Sequence, residues 1–214
     1  MGQKKTKPID YDYFPTKFST LTPLAFHETY GSNIVLYKNN QEAERRWHHN
    51  NGILFSDRPI ESEERVCLRI IQTDKKWNGA LRFGVTNIDP KCLAGQLPQF
   101  VIPDLTNKNG FWAGEMPIED CEKSDVKELL FHFYVTSDHG YIYYGYNGRT
   151  MKKLTGPIVD TTKPLWAMID LFGIPVRIEL VNVYAEKPKC VQEETHDQVP
   201  SAPQDEPPPY SECK

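Results

Sequence analysis

The sequence has no Cys-x-x-Cys pair. Its five cysteines, Cys67, Cys92, Cys121, Cys190 and Cys213, are odd in number and widely scattered. That excludes a disulfide framework or a paired zinc site and predicts reduced thiols in a cytosolic protein. No apolar run reaches the length of a membrane span. No secretory apolar region follows the start, because residues 1–20 are polar, charged and aromatic. No single sign of charge dominates: the net charge is −4 with both signs mixed, which argues against general nucleic-acid binding.

Catalytic patterns are also missing. There is no Gly-rich phosphate loop, nucleophile elbow or zinc-protease helix, so no catalytic residue, cofactor or metal is expected. His48 and His49, with Glu42 and Glu44, are poor co-ligands, because adjacent residues on an extended chain point to opposite faces. They are expected in a solvated loop. Asp138 and Asp170 are too isolated in sequence to form a general acid/base pair. Cys67 lies between Val66 and Leu68 in a strand pattern and is expected to be buried and inert. His132 sits in an apolar strand pattern and is expected to be a hydrogen-bonded sheet histidine.

Aromatics are abundant, with 11 Tyr, 10 Phe and 4 Trp, enough for a substantial core. Three regions are read along the chain: a basic, flexible N-terminal arm over 1–20, a patterned domain over 21–184, and a Pro-rich acidic tail over 185–214. The tail has no apolar periodicity, so it cannot offset its ordering entropy and is expected to be disordered.

The middle region reads as all-β. Residues 32–37, 65–72, 80–87, 129–135, 141–146, 165–171 and 176–184 are short and rich in branched and aromatic side chains. Val176, Ile178 and Leu180 alternate with Arg177 and Glu179. Leu81, Phe83 and Val85 alternate with Arg82, Gly84 and Thr86. Residues 129–135 are apolar on both faces and are expected at a sheet centre. Asn147-Gly148 and the segment from Ser137 to Gly140 supply turns. Short strands between turns predict an antiparallel β-sandwich. Residues 42–48 are the one stretch expected to turn helical, for one turn or two. Gly79, Gly84 and Gly173 are expected at bulges or close backbone approaches, and Arg58-Pro59 at a rigid corner before a strand. Trp77, Trp112 and Trp166 are expected in or beside the core.

A run of blocks then carries a family resemblance. Phe26-His27, Gly31-Ser-Asn-Ile34, Ile53-Leu-Phe-Ser-Asp-Arg-Pro-Ile60 and Trp77-Asn-Gly-Ala-Leu-Arg-Phe-Gly-Val-Thr86 come first. Asp89-Pro90, Leu97-Pro98, Pro103-Asp104-Leu105, Trp112-Ala113 and Leu165-Trp-Ala-Met-Ile-Asp-Leu-Phe-Gly173 follow. Together they resemble the neuralized homology repeat, over roughly residues 22–184. The resemblance implies a β-sandwich used for protein recognition, often of ubiquitin-ligase substrates or their regulators. Many such ligases end in a RING finger, which needs eight closely spaced Cys or His ligands. This tail offers Cys190, His196 and Cys213 only, and no SOCS-box helix is evident after Tyr184. The expected ligase therefore comes from elsewhere.

Pro207, Pro208, Pro209 and Tyr210 form a Pro-Pro-x-Tyr ligand for WW domains. The prolines hold the extended left-handed helix before binding, and the tyrosine fills a pocket. WW domains occur in HECT-type ubiquitin ligases, the expected partner, and Asp205, Glu206 and Glu212 would flank the contact. Phosphorylation of Tyr210 would add charge and bulk at the pocket residue and switch the contact off.

At the other end, Gly2 followed by Thr6 fits the N-myristoylation pattern. One such chain binds bilayers weakly, with an association constant of about 10⁴ M⁻¹. Lys4, Lys5 and Lys7 each add roughly 1 kcal/mol on an anionic leaflet. The expected location is the cytoplasmic face of plasma or endosomal membranes.

The function read from these parts is a non-enzymatic adaptor joining a client protein to a WW-domain HECT-type ligase at that face. Two alternatives stand. One is a trafficking or sorting adaptor that recruits the same ligases. The other is a lectin-like carbohydrate-binding module with Trp77 beside Asn78 as its platform. Client-binding loops are sought first within residues 38–51 and 91–110.

Overall fold

The computed structural model describes residues 8–122, 126–156 and 158–186. Eleven strands run β1 Ile34–Tyr37, β2 Glu42–Arg45, β3 Ile53–Phe55, β4 Val66–Thr73, β5 Arg82–Thr86, β6 Phe111–Glu115, β7 Leu130–Val135, β8 Ile142–Tyr146, β9 Arg149–Lys153, β10 Trp166–Asp170 and β11 Pro175–Leu180. Two four-residue α-helices, α1 Ile118–Cys121 and α2 Val183–Glu186, and short 3-10 helices at Tyr11–Tyr13, Thr16–Phe18, Pro90–Leu93 and Val126–Glu128 complete the regular elements among the described residues. The strands form a seven-stranded sheet in the order β1-β2-β11-β4-β7-β8-β9 and a four-stranded sheet in the order β3-β10-β5-β6. All described pairings are antiparallel. The expected antiparallel sandwich is therefore the fold.

The alternation along each strand shows where the core sits. Phe83 on β5 of the small sheet meets three aromatic rings of the large sheet. Its ring centroid lies 4.8 Å from Phe131, 5.2 Å from Tyr144 and 5.3 Å from Phe133. Edge-to-face contacts of this kind add about 0.5–1.5 kcal/mol each beyond burial. β7 is interior to its sheet, between β4 and β8, as its doubly apolar sequence predicts.

Four strands do not appear among the sequence expectations, each for a physical reason. β2 is Glu-Ala-Glu-Arg, the stretch expected to be helical. It is extended because Ala43 packs into the core while buried Glu42 pairs with Arg177 and with Lys38. β3 is three residues long. β6 is continuous but carries Gly114, a weak strand former in sequence, whose missing side chain leaves room for Leu154. β9 is a polar edge strand created by its hairpin turn. That turn is Asn147-Gly148, with φ of 51° and 72°, the pair of left-handed residues that a tight hairpin needs. The last expected strand stops at Leu180, and Val183–Glu186 turns helical instead.

Within the arm expected over 1–20, residues 9–18 are seated on the outer face of the large sheet. Phe14 and Phe18 are buried there, and Phe14 packs with Cys67, Leu130, Val181 and Val183. Asp10 donates its backbone N–H to Asn147 O at 3.0 Å. The Arg65 guanidinium stacks 3.3 Å above the Tyr134 ring. Gly2, Lys4, Lys5 and Lys7 lie outside the described residues.

Beneath this strap, Cys67 is buried as expected and pairs in register with His132. His132 departs from expectation. It is fully buried between Tyr13 and Phe14, and neither imidazole nitrogen has a hydrogen-bond partner among the described residues. Burial, aided by the charge of Arg65, pushes its pKa down to about 3. The native ring is therefore neutral, while the unfolded chain takes up a proton below about pH 6.5. Stability from this group is complete above that pH and is lost as pH falls toward 3. His132→Phe removes the titration and keeps the aromatic packing. Relative to the native chain, its stability advantage is expected to grow by about 2 kcal/mol between pH 7 and pH 5. Denaturant unfolding at the two pH values checks this.

Candidate functional site: a loop-end groove

Three connections meet at one end of the sandwich: residues 46–52 between β2 and β3, 74–81 between β4 and β5, and 171–174 between β10 and β11. The long β5–β6 connection brings residues 99–104 alongside. Hydrogen bonds hold the first of these in place. Asn51 N–H donates to Gln99 O at 2.8 Å, and Asn33 Nδ2 donates to Asn50 O at 3.0 Å. The left-handed backbones at His48 and Asn51, φ 38° and 53°, turn the loop back on itself.

Two glycines let two of the connections touch. Gly173 has φ +72°, and a Cβ there would sit 2.2 Å from the carbonyl carbon of Gly79. Gly79 has φ +117°, and its own Cβ would strike the Phe172 ring at 2.3 Å. These are the close backbone approaches expected of both residues. The Phe172 ring closes an aromatic box with His49, Phe100 and Trp77. His49 has ring centroids at 5.8 Å from Trp77, 5.9 Å from Phe100 and 5.8 Å from Phe172.

Behind the box lie three buried charges. Arg82 stacks 3.6 Å over Phe172, bonds Glu115 through Nε at 2.8 Å, and donates to Ile102 O at 2.9 Å. Asp170 accepts the Val101 N–H through Oδ2 at 3.0 Å, with Arg82 Nη1 at 3.6 Å. Its Oδ1 has no partner, and burial pushes its carboxyl up to about 6 against the pull of Val101 N–H and Arg82. Arg45 donates through Nη2 to Gly173 O at 2.7 Å, while its Nε and Nη1 have no hydrogen-bond partner among the described residues. Burial lowers its pKa to about 10, opposed by the charges of Asp170 and Asp74. Charged groups removed from water and only partly hydrogen-bonded are costly, and such sites concentrate where a protein functions.

A groove of about 320 Å³ opens over Arg45. Arg46, Trp47, His48, Lys76 and Trp77 form much of its wall. Trp47 is 60% exposed, the most exposed tryptophan of the described residues. Glu44 and Asp74 also line it, so the wall is aromatic and of mixed charge, and its indoles supply large rigid contact area and N–H donors suited to holding a peptide segment.

The sequence-predicted residues fall as follows. Trp77, Trp112 and Trp166 are half-buried, matching the expected semi-core role. Trp77, the indole on which a sugar-binding reading rests, has its ring against His49, with Arg45 Cζ 5.8 Å away. His48 and His49 are exposed, and no group of three or more His, Cys, Asp or Glu among the described residues is placed to hold a metal ion. Both loop regions singled out in the sequence contribute, through residues 46–51 and 99–104. Pro207, Pro208, Pro209 and Tyr210 lie outside the described residues. Trp47, Arg45 and Phe100 fall within those loop regions and Phe172 within a family block, but none is singled out by residue in the sequence. Trp47 had a signal, a lone indole flanked by Arg46 and His48. Arg45 had none, because its burial depends on Gly173 arriving 128 residues later.

The Neuralized family profile matches residues 26–182. The chain belongs to the Neuralized family. It is 35% identical to Protein neuralized of Drosophila melanogaster over 178 residues, 81% of this chain and 23% of that protein. It is 34% identical to the human E3 ubiquitin-protein ligase NEURL1B over 160 residues, 73% of this chain and 28% of the relative. This chain therefore spans less than a third of these two Neuralized relatives. The crystal structure of the Drosophila melanogaster neuralized NHR1 domain superposes with a TM-score of 0.70 at 36% identity, covering 75% of this chain and 99% of that one. The Neuralized repeat, and not the tail, thus accounts for the likeness.

Gly173→Ala tests the loop junction of this Neuralized repeat. The left-handed backbone and the 2.2 Å approach leave no room for a methyl group. A loss of about 2 kcal/mol or more is expected on thermal unfolding, with the indole fluorescence of the groove altered in the folded state.

Proposed function

We propose that this chain is a non-enzymatic recognition adaptor in ubiquitin transfer. The loop-end groove takes a client protein. The Pro-Pro-x-Tyr segment, Pro207 to Tyr210, engages a WW-domain ligase of the HECT type. The lipid pattern at Gly2 places the assembly on the cytoplasmic face of a membrane. The observation that carries the client half is exposed Trp47, lining one groove with buried Arg45 at the end of a Neuralized repeat. The ubiquitin half is supported by the relatives, several of which are named E3 ubiquitin-protein ligases. The WW and membrane elements are supported by sequence patterns at Gly2 and at Pro207–Tyr210.

The mechanism is proximity. Two separate contacts on one chain bring a client lysine to a ligase that would otherwise meet it by diffusion, raising its effective concentration toward the millimolar range. No group on this chain needs to take part in bond making.

Trp47→Ala and Tyr210→Ala separate the two contacts. Trp47 is exposed, so its removal is expected to change stability by less than about 0.5 kcal/mol. Affinity purification followed by mass spectrometry with ubiquitin-remnant detection reads both. Tyr210→Ala is expected to lose a HECT-type ligase and keep the other partners, and to abolish calorimetric binding of the tail to an isolated WW domain. Trp47→Ala is expected to keep the ligase and lose at least one other partner, whose ubiquitination falls in both variants. Unchanged partner sets in both variants would refute the adaptor reading.

A further inference from the structure

The strap and the hairpin it crosses fix where a membrane can meet this protein. Asp10 N–H bonds Asn147 O at 3.0 Å, at the turn between β8 and β9. A Cβ on Gly148 would lie 2.4 Å from Asp10 O, so the strap passes directly over that turn. Buried Phe14 clamps it from the other side. An extended chain advances at most about 3.6 Å per residue, so Gly2 lies no more than about 30 Å from the turn. A lipid on Gly2 is therefore within reach of a bilayer that meets this side of the molecule.

That side is basic. β9 is the edge strand of the large sheet and reads Arg-Thr-Met-Lys-Lys. Lys152 and Lys153 are exposed, and among the described residues neither makes an ion pair; Lys153 Nζ rests 3.1 Å from the Tyr141 ring centroid. Exposed Lys127 precedes β7. The nearby acids include Asp10 and Asp12 on the strap, exposed Glu119 and buried Asp120 on α1, and Glu128 next to Lys127. Asp12 is engaged with a neighbour, and Asp120 accepts the Tyr146 hydroxyl at 2.5 Å. The whole chain carries −4, so an anionic surface repels it on average. Only a locally positive face can settle against such a surface.

We infer that the basic edge strand β9, through Lys152 and Lys153, contacts the anionic headgroups of the leaflet and sets the orientation of the protein on the membrane. This rests on the lipid-anchored reading above. In the large sheet, β2 and β9 are separated by β11, β4, β7 and β8. Five spacings of about 4.8 Å keep the groove that follows β2 roughly 24 Å from the contacting edge. The client groove then stays open to the cytosol while the opposite edge rests on lipid.

The test uses the full chain, co-expressed with an N-myristoyltransferase, and vesicle co-sedimentation. One vesicle set is phosphatidylcholine; the other contains phosphatidylserine as well. Lys152→Gln is expected to weaken binding to the anionic vesicles about fivefold, and Lys152→Gln with Lys153→Gln about thirtyfold. Binding to the neutral vesicles should not change. Equal binding of the double variant and the native chain to anionic vesicles would overturn the inference, as would an equal loss on both vesicle sets. Gly2→Ala separates the two ideas. If it binds as tightly as the native chain, the lipid anchor itself is wrong; if it loses binding while the lysine variants do not, the anchor stands and the oriented edge falls.

Discussion

The contact on which the structure depends is the insertion of Phe83 from the small sheet among Phe131, Phe133 and Tyr144 of the large one. Two twisted sheets can stack in many registers, and apolar area alone does not choose among them. Rings at 4.8–5.3 Å do choose, because an edge-to-face pair fails once one sheet slides by a residue. β5 is thereby held over β7 and β8. Its outward neighbours, Arg82 and Thr86, are in turn delivered to the loops at either end of the strand.

Arg82 leads from this core to the groove. Its guanidinium lies flat on Phe172 and reaches Asp170, Glu115 and the carbonyl of Ile102. Asp170 takes the N–H of Val101, and Arg45 takes the carbonyl of Gly173. Three loops distant in sequence thus share one set of buried charges. Such an arrangement is expensive, since Arg45 and Asp170 keep unpartnered atoms away from water. The likeness to the Neuralized repeat extends across these loops, from residue 26 to residue 182. A groove held by buried charge is rigid before its ligand arrives, which lowers the ordering cost of binding.

The outer face of the large sheet follows a different logic. On its β1 side, Lys38, Glu42, Arg177, Glu179 and Arg69 form a ladder of ion pairs in which Glu42 is buried and its partners reach solvent. On its β7 side the same face is apolar at Cys67, Leu130 and Val181, and the strap covers it with Phe14. The strap is thus part of the domain's packing. It also brings Asp10 against the β8–β9 turn, through the bond from its N–H to Asn147 O.

Much of the sandwich was legible in the chain itself. Alternation at 82–86 and 176–180, and the Asn147-Gly148 turn, follow from side-chain periodicity and from the backbone freedom of two residues, which act locally. Likewise Gly79 and Gly173 announced a close approach, though not to each other. The strand at Glu42–Arg45 could not be read, because its charges are tolerable only after Arg177 and Gly173 arrive from the far end of the domain. His132 looked like a satisfied sheet histidine; the strap, not a hydrogen bond, is what surrounds it. The sequence by itself determined the class of fold, the family likeness and the two terminal motifs, all carried by short-range patterns. Only the tertiary structure decided that Arg45 is buried against Gly173 beneath the groove that Trp47 lines and that the strap crosses the β8–β9 turn, because both depend on contacts between segments that no local pattern connects.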